Sequence, residues 1–502
     1  MKTTNLALSR LLSAIIIFVM TLTTSSCRAD QEQDKISLFP LANYDQTIST
    51  WIKPSDPNYD KALFSNDIQQ KRFDTFYNHL YGTASPWSPD FVNKILHRKA
   101  DDSLKQTELT IIRDFTNQNK ADDEIAYGEN FHPHTIEWIH TIAANINLSQ
   151  FDNFSYEPMH RGIAVDNLAL RSLPTEDPSF YNHKLAGQGY PFDNLQMSAL
   201  WAGTPVYILG ESQDHAWLFV MTPDCIAWVK STGIARTDNT FVTAWQIAAK
   251  KQLVAITQTQ TSVTDDKGRF HFSAYIGSVF PGDDKSSTGT IFIPVADAEQ
   301  VAVIKRASIE RDRSVTMPLA ATPHHIADIM STLIGRPYGW GNLYFYNDCS
   351  AELKSLLTPF GIWLPRHSSD QMHAGKMVDL SNTTMDKRLN YLMENGRPFM
   401  TLIYIGGHVI MYTGKQPNPN SQDHANMVMT YQNMWGLSPH PSTRRAIIGR
   451  AVLFPMLEQY PEDNTLSSPA NKKIFQIAFL DESPNDLLKY EIIDLKSLMY
   501  SS

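Results

Sequence analysis

The apolar positions of this chain fall into distinct textures. Between residues 40 and 150 they recur at helical spacing, most clearly over 66–80 and 135–144, which predicts amphipathic helices. From 161 to about 235 they form short runs broken by turn residues. Segments 204–209, 216–221 and 226–229 read as strands, and strands this short and evenly spaced predict a small β-barrel. A second β-rich stretch follows, with strands at 251–257, 269–276 and 289–294, although no clean repeat links the two. From 323 the order changes again. A helix over 324–334 ends at Gly335, and a second amphipathic run begins at Ala351. Strand-like segments then lie at 399–405, 408–412, 427–432 and 446–453. Helix before antiparallel sheet is an α+β layout. The tail from about 471 carries another strand and helix.

Length and composition fit several such units. The chain has 502 residues, 42% of them hydrophobic, enough for about three domains. Its formal net charge is −9 with basic residues scattered, which argues against a nucleic-acid partner. Lys2 and Arg10 precede an apolar stretch at 11–22, shorter than the roughly 20 residues that span a bilayer. Small residues at 23–26 then lead to Cys27. Residues 1–27 therefore read as a secretory signal, with Cys27 at a lipoprotein-type cleavage site, although Thr24 stands where such sites usually carry an aliphatic residue. The expectation is an exported protein, periplasmic or held at the outer membrane through a lipid on Cys27. Of the other cysteines, Cys225 sits among apolar residues and reads as a buried small hydrophobe rather than a disulfide partner. His79, His132 and His134 read as surface or satisfied histidines, so no metal and no other cofactor is expected.

The remaining cysteine is different. A Gly- and aromatic-rich loop, 335–341, precedes Asp348, Cys349 and Ser350, and Cys349 opens the amphipathic run at 351–357. A thiol at a helix N-terminus faces unpaired N–H groups and the positive end of the dipole, both of which favour thiolate. A histidine follows at the start of a strand-like hairpin, His408 after Gly407. A thiol and an imidazole are the minimum for thiol acyl-transfer chemistry.

Taken together, Pro337-Tyr-Gly-Trp-Gly341, Asp348-Cys-Ser350, Pro365-Arg-His-Ser-Ser-Asp-Gln371 and Gly407-His-Val409 resemble the NlpC/p60 cysteine peptidases of bacterial cell walls. The resemblance covers roughly 320–455 with specific motifs. It continues more weakly upstream. The β regions, with Gly189-Tyr-Pro-Phe-Asp193 and the Trp217/Trp228 pair, look like tandem bacterial SH3 modules, and the helical stretch is similar to the N-terminal domain of the multi-domain branch.

What the resemblance implies is a multi-domain α+β protein. Its parts are a helical N-terminal domain at 36–155, SH3-like β-barrels at 156–236 and 237–308, a papain-like peptidase domain at 320–480 and a C-terminal extension at 481–502. It implies cleavage of the γ-D-glutamyl–diamino acid bond of peptidoglycan stem peptides, with Cys349 as nucleophile and His408 as base. The third position falls on Gln432, a departure because an amide orients the imidazole without adding charge. Asp348 and Ser350 would meet the substrate's free N-terminal amine, Asp348 being equally suited to cap the helix. Tyr338 and Trp340 would line the pocket, with the Tyr338 hydroxyl near the oxyanion. Arg366 would meet a substrate carboxylate or serve a structural salt bridge. The first SH3-like module, through the loop at 174–191, would restrict the cleft to stems with a free L-alanine. Two other classes stay open: a non-catalytic peptidoglycan-binding lipoprotein with a decayed thiol site, and an acyl transferase of the same fold.

Overall fold

The computed structural model describes residues 36–96, 103–152, 155–283, 289–418, 426–484 and 495–500. The expected signal segment 1–27 and its Cys27 lie outside the described residues.

The C-terminal unit is built on a seven-stranded sheet. Its spatial order is Ile36–Leu38, Arg445–Met456, Asn426–Leu437, Val409–Pro417, Thr401–Tyr404, Gln476–Phe479 and Lys376–Asp379. The strand Asn426–Leu437 is buried at nearly every position on both faces, as a strand covered on both sides requires. The helix Cys349–Leu357 packs against this strand and against Val409–Pro417, and eight of its nine residues are buried. Its Leu353, Leu356 and Leu357 join Ile326, Met330, Met411, Tyr431 and Leu453 in one apolar cluster, each such leucine contributing about 1.5–3 kcal/mol of burial. The two charged residues of this buried helix are both partnered, as burial demands. Glu352 bonds the Tyr431 hydroxyl and accepts from Asn347 Nδ2 at 2.8 Å, and Lys354 Nζ reaches Asp224 Oδ1 at 2.8 Å.

Upstream lie the two β modules. In the first, seven strands run in the order Gln196–Leu200, Leu168–Arg171, Ile226–Lys230, Trp217–Met221, Pro205–Glu211, Arg161–Ala164, Ile234–Arg236, around a fully buried Trp228. The helix Asn239–Lys251, capped by Asp238 accepting from Phe241 N at 2.6 Å, leads into the second. That module pairs a four-stranded and a three-stranded sheet. Its last strand, Ser314–Thr316, pairs with Leu253–Ile256, so the second barrel extends past the expected boundary at 308. The segment is three residues long and leaves little periodicity to read.

The helices Asn66–Tyr81, Pro89–Leu96, Leu104–Asp114 and Ile136–Ile146 occupy the N-terminal region. Each described apolar cluster that draws on 36–155 also draws on later residues. Phe76, Leu80 and Trp87 pack with Phe241, Val242 and Trp245, while Ile111, Ile139 and Ile142 pack with Trp217, Phe219 and Trp228 of the first barrel. The short helix Leu495–Met499 joins that second group. The region thus braces the barrels. Its first residues leave it altogether, because Ile36–Leu38 adds in parallel to Arg445–Met456, with Ile36 opposite Arg445.

Candidate active site

The loop before Cys349 is shaped by left-handed backbone. Gly341, Asn342, Tyr344 and Phe345 have φ of 57°, 60°, 54° and 63°, a conformation that non-glycine residues hold only when their surroundings enforce it. The enforcing contact is the edge of the first barrel. A Cβ on Gly341 would stand 2.3 Å from the Gln196 carbonyl oxygen, and Gln196 Nε2 donates to the Gly341 carbonyl at 2.9 Å.

This loop delivers Asp348, which caps the helix. Asp348 Oδ1 accepts from Ala351 N at 3.0 Å, Ser350 Oγ at 3.2 Å and Arg366 Nη1 at 3.2 Å. Its Oδ2 accepts from Arg366 Nη2 at 2.6 Å and Gly341 N at 3.2 Å. A carboxylate offers about four lone-pair positions, and five protein donors fill them. Arg366 is equally committed, donating to Ser350 Oγ at 2.7 Å, Ser198 Oγ at 2.8 Å and the Met197 carbonyl at 3.1 Å. Of the alternatives left open, the structure shows the helix cap for Asp348 and the buried ion pair for Arg366, and Ser350 Oγ is bonded to both. Sequence spacing cannot reveal this, because Ser198 and Met197 come from the first barrel, far away in the chain.

Cys349 is 6% exposed. The backbone N–H groups of Val409 and Ser350 hydrogen-bond its sulfur, yet burial and the Asp348 carboxylate outweigh them and push the thiol up to about 12. The expected thiolate is thus disfavoured, first by burial and then by the acid that caps the helix. Burial also depresses His408 below its ordinary value, against the raising effect of its bond to Gln432. The resting pair is a neutral thiol and a neutral imidazole.

His408 is held by a tight turn in which Gly406 and Gly407 both have φ of 79°. Its Nε2 lies 2.8 Å from Gln432 Oε1. The amide is oriented in turn: Gln432 Nε2 donates to Thr430 Oγ1 at 3.0 Å, and that hydroxyl donates to the Phe454 carbonyl at 2.6 Å. With its proton given to Phe454, Thr430 can only accept from the amide, so Gln432 presents its oxygen to His408. The imidazole proton then sits on Nε2 and leaves Nδ1 as the acceptor. Thr430 and Gln432 share one face of their strand through its two-residue period. The sequence contains this signal, but Thr430 carries no motif.

Beside His408 opens a cleft of about 400 Å³. Tyr338 and Trp340 line it, with Phe192 from the first barrel set edge-on to Trp340 and to Trp435, both at 5.2 Å. Trp340 Nε1 is buried without a partner among the described residues. The described lining holds no carboxylate but does hold Arg445 and Lys472.

Family models match two parts of the chain, an SH3 domain of SH3b1 type at 178–230 and an SH3 domain of SH3b2 type at 238–286. A solved NlpC/P60 endopeptidase from Photobacterium damselae subsp. piscicida is 27% identical, with a TM-score of 0.74 over 88% of this chain and 98% of that one. This chain is of NlpC/P60 type with tandem SH3b domains. Among curated proteins, the γ-D-glutamyl-L-lysine dipeptidyl-peptidase of Bacillus subtilis (strain 168) is 28% identical over 109 residues, which cover 20% of this chain and 37% of that protein. An NlpC/P60 family protein from Bacillus cereus ATCC 10987 is 12% identical with a TM-score of 0.39 over 61% of this chain and 98% of that one, too distant to carry an argument. The NlpC/P60 chain is thus a multi-domain α+β protein. Both free cysteines among its described residues, Cys225 and Cys349, are buried.

Proposed function

We propose that this chain is a cell-wall cysteine peptidase that hydrolyses the γ-D-glutamyl–diamino acid amide of peptidoglycan stem peptides. The observation that carries the reading is the hydrogen-bonded line from Phe454 through Thr430 and Gln432 to His408, beside a thiol bonded by the next residue's N–H. The relatives that are NlpC/P60 endopeptidases and a γ-D-glutamyl-L-lysine dipeptidyl-peptidase support it.

The mechanism starts from the neutral pair. As the substrate carbonyl comes into contact, His408 Nδ1 takes the proton from Cys349 and the sulfur attacks. N–H groups of the helix start and the Tyr338 hydroxyl receive the oxyanion. The intermediate collapses, the C–N bond breaks, and the leaving amine takes the proton from His408. A water then gives its proton to His408 and attacks the thioester, releasing the acid and restoring the thiol. Gln432 orients the imidazole through a neutral oxygen, so the imidazolium stays short-lived. An intact thiol, imidazole and orienting amide speak against a decayed site.

Export belongs to the same reading, with a lipid on Cys27 as membrane anchor. The SH3b modules would hold wall material. Mass spectrometry of purified muropeptides incubated with wild type and with Cys349→Ala tests the activity. Hydrolysis gives paired products that gain one water in total, acyl transfer gives an adduct, and unchanged muropeptides refute both. Labelling with a fatty-acid probe tests the anchor, and wild type that takes up no label would refute it.

A further inference from the structure

Glu352 is a buried acid that the mechanism above does not use. It lies three residues after Cys349 on the same helix and is 1% exposed. Leu353, Leu356 and Leu357 of that helix face an apolar cluster, and an aliphatic side chain at 352 would avoid the cost of burying a charge. The carboxylate instead accepts from two directions. Tyr431 donates its hydroxyl to Oε1, and Asn347 donates Nδ2 to Oε2 at 2.8 Å. Burial raises Glu352 above its ordinary value, and the bonds from Tyr431, Asn347 and Asn433 oppose that rise.

The two donors give this acid its place in the site. Asn347 stands two residues before Cys349 and is gripped elsewhere as well. Its Oδ1 accepts from Asn342 Nδ2 at 2.9 Å, and its carbonyl accepts from Gly339 N at 2.9 Å and from Asn433 Nδ2 at 2.8 Å. Tyr431 and Asn433 flank Gln432 on the strand Asn426–Leu437. Side chains alternate along a strand, so Gln432 goes to His408 while Tyr431 and Asn433 go to the helix and loop around Cys349. These three consecutive residues are each at most 1% exposed. One face of the strand thus holds the base, and the other holds the surroundings of the thiol. Glu352 joins the second set, bonding both the loop before Cys349 and the strand that carries Gln432.

Resting on the activity proposed above, we infer that Glu352 is a positioning residue that sets the separation of the Cys349 sulfur and the His408 imidazole. It does so by tying the helix of the thiol to the strand that orients the base. A carboxylate suits the task because it has an acceptor oxygen for each donor. A glutamine keeps the shape but offers a single acceptor oxygen and turns an amide N–H toward a donor. Proton transfer from the thiol needs the reacting atoms within hydrogen-bond reach. A displacement of about 1 Å caused far from the chemistry can slow a reaction about a hundredfold. Glu352 acts through Asn347 and Tyr431 rather than on the substrate.

The test compares the full chain with its Glu352→Gln and Tyr431→Phe variants on purified muropeptides. Glu352→Gln should lower kcat about tenfold or more and leave KM within about twofold. Tyr431→Phe, which removes one of the two bonds and keeps the ring, should lower kcat less. A double-mutant cycle on kcat then separates positioning from stability. Glu352→Gln should cost clearly less in a Gln432→Ala background than in wild type, because an imidazole already freed gains little from correct spacing. A residue that only supports the fold would lower the urea midpoint and leave the two effects on kcat additive. Should Glu352→Gln fail to fold, the same cycle run with Tyr431→Phe decides. Alkylation of Cys349 by iodoacetamide, followed by peptide mass spectrometry that separates it from Cys225, repeats the comparison without turnover and should slow in Glu352→Gln. Wild-type kcat in the variant, additive effects, or unchanged or faster alkylation overturn the positioning role while leaving the proposed activity standing. Absence of cleavage by wild type overturns the activity, and the alkylation rates then decide the positioning role on their own.

Discussion

Arg366 and Arg445 stand on opposite sides of the same site and have opposite circumstances. Arg366 is enclosed by acceptors from two segments and donates five hydrogen bonds, two of them to Asp348. Arg445 lines the cleft beside His408, and its buried Nε, packed against the loop at Gly187, has no hydrogen-bond partner. Arg366 lies in a quoted motif and Arg445 does not, yet chemistry by residue type would assign either to a substrate. The difference teaches that residue type alone does not separate a cation built into the scaffold from one that borders a cleft. The surroundings of Asp348 and Cys349 are closely hydrogen-bonded, while the cleft beside His408 is open.

The largest effects come from removing the chemistry that both sides serve. Cys349→Ala and His408→Ala should each reduce muropeptide cleavage to background, with melting temperatures near wild type. Retained turnover in Cys349→Ala would refute the covalent step. The next effect breaks the comparison directly. Arg366→Met leaves the Asp348 carboxylate buried and uncompensated, which costs about 3–5 kcal/mol, whereas Arg445→Met should change stability by less than about 1 kcal/mol, because no ion pair is lost. Urea unfolding of the two variants checks this, and equal losses would erase the contrast. Smaller again, Gln432→Ala should slow kcat by about 10–100-fold, the size of an orienting bond rather than of the base itself. Thr430→Val should act in the same direction and more weakly, with KM little changed.

The finest effect is in pH. Burial lowers His408 while its bond to Gln432 raises it. The imidazole must be neutral to accept the thiol proton, so activity rises with pH through the folded value, and the acid limb lies below 6.5. Removing the amide in Gln432→Ala takes away the raising contribution and shifts the limb further toward acid. A profile of kcat/KM against pH measures it, and a shift toward alkali would mean that Gln432 disfavours the imidazolium.

How much of this is legible in the sequence depends on how local each feature is. The two barrels are legible because short apolar runs and turn residues recur within about ten positions. The approach of His408 to Gln432 is legible in outline, since strand alternation and motif order put both beside Cys349. Asp348 reads correctly as a helix cap, while its bonds to Arg366 and the Gly341 N–H stay hidden, because only the folded loop brings those donors there. Arg445 carries no motif at all. Its meaning comes from an absence of partners, and absence is a property of the surroundings. Ile36–Leu38 is too short to show a period, and its partner strand lies some four hundred residues downstream.

The order of strands in the C-terminal sheet also bears on when that sheet can be completed. Phe479 pairs with Thr401 on one side and with Lys376 on the other, so one of the last described segments is inserted between two earlier ones. Until it has been synthesised, Thr401–Tyr404 presents an unpaired edge, and the strand that continues past His408 leans on an unfinished neighbour. Contacts this distant in sequence form late. The sheet that carries His408 is therefore completed only when one of the last described strands joins it.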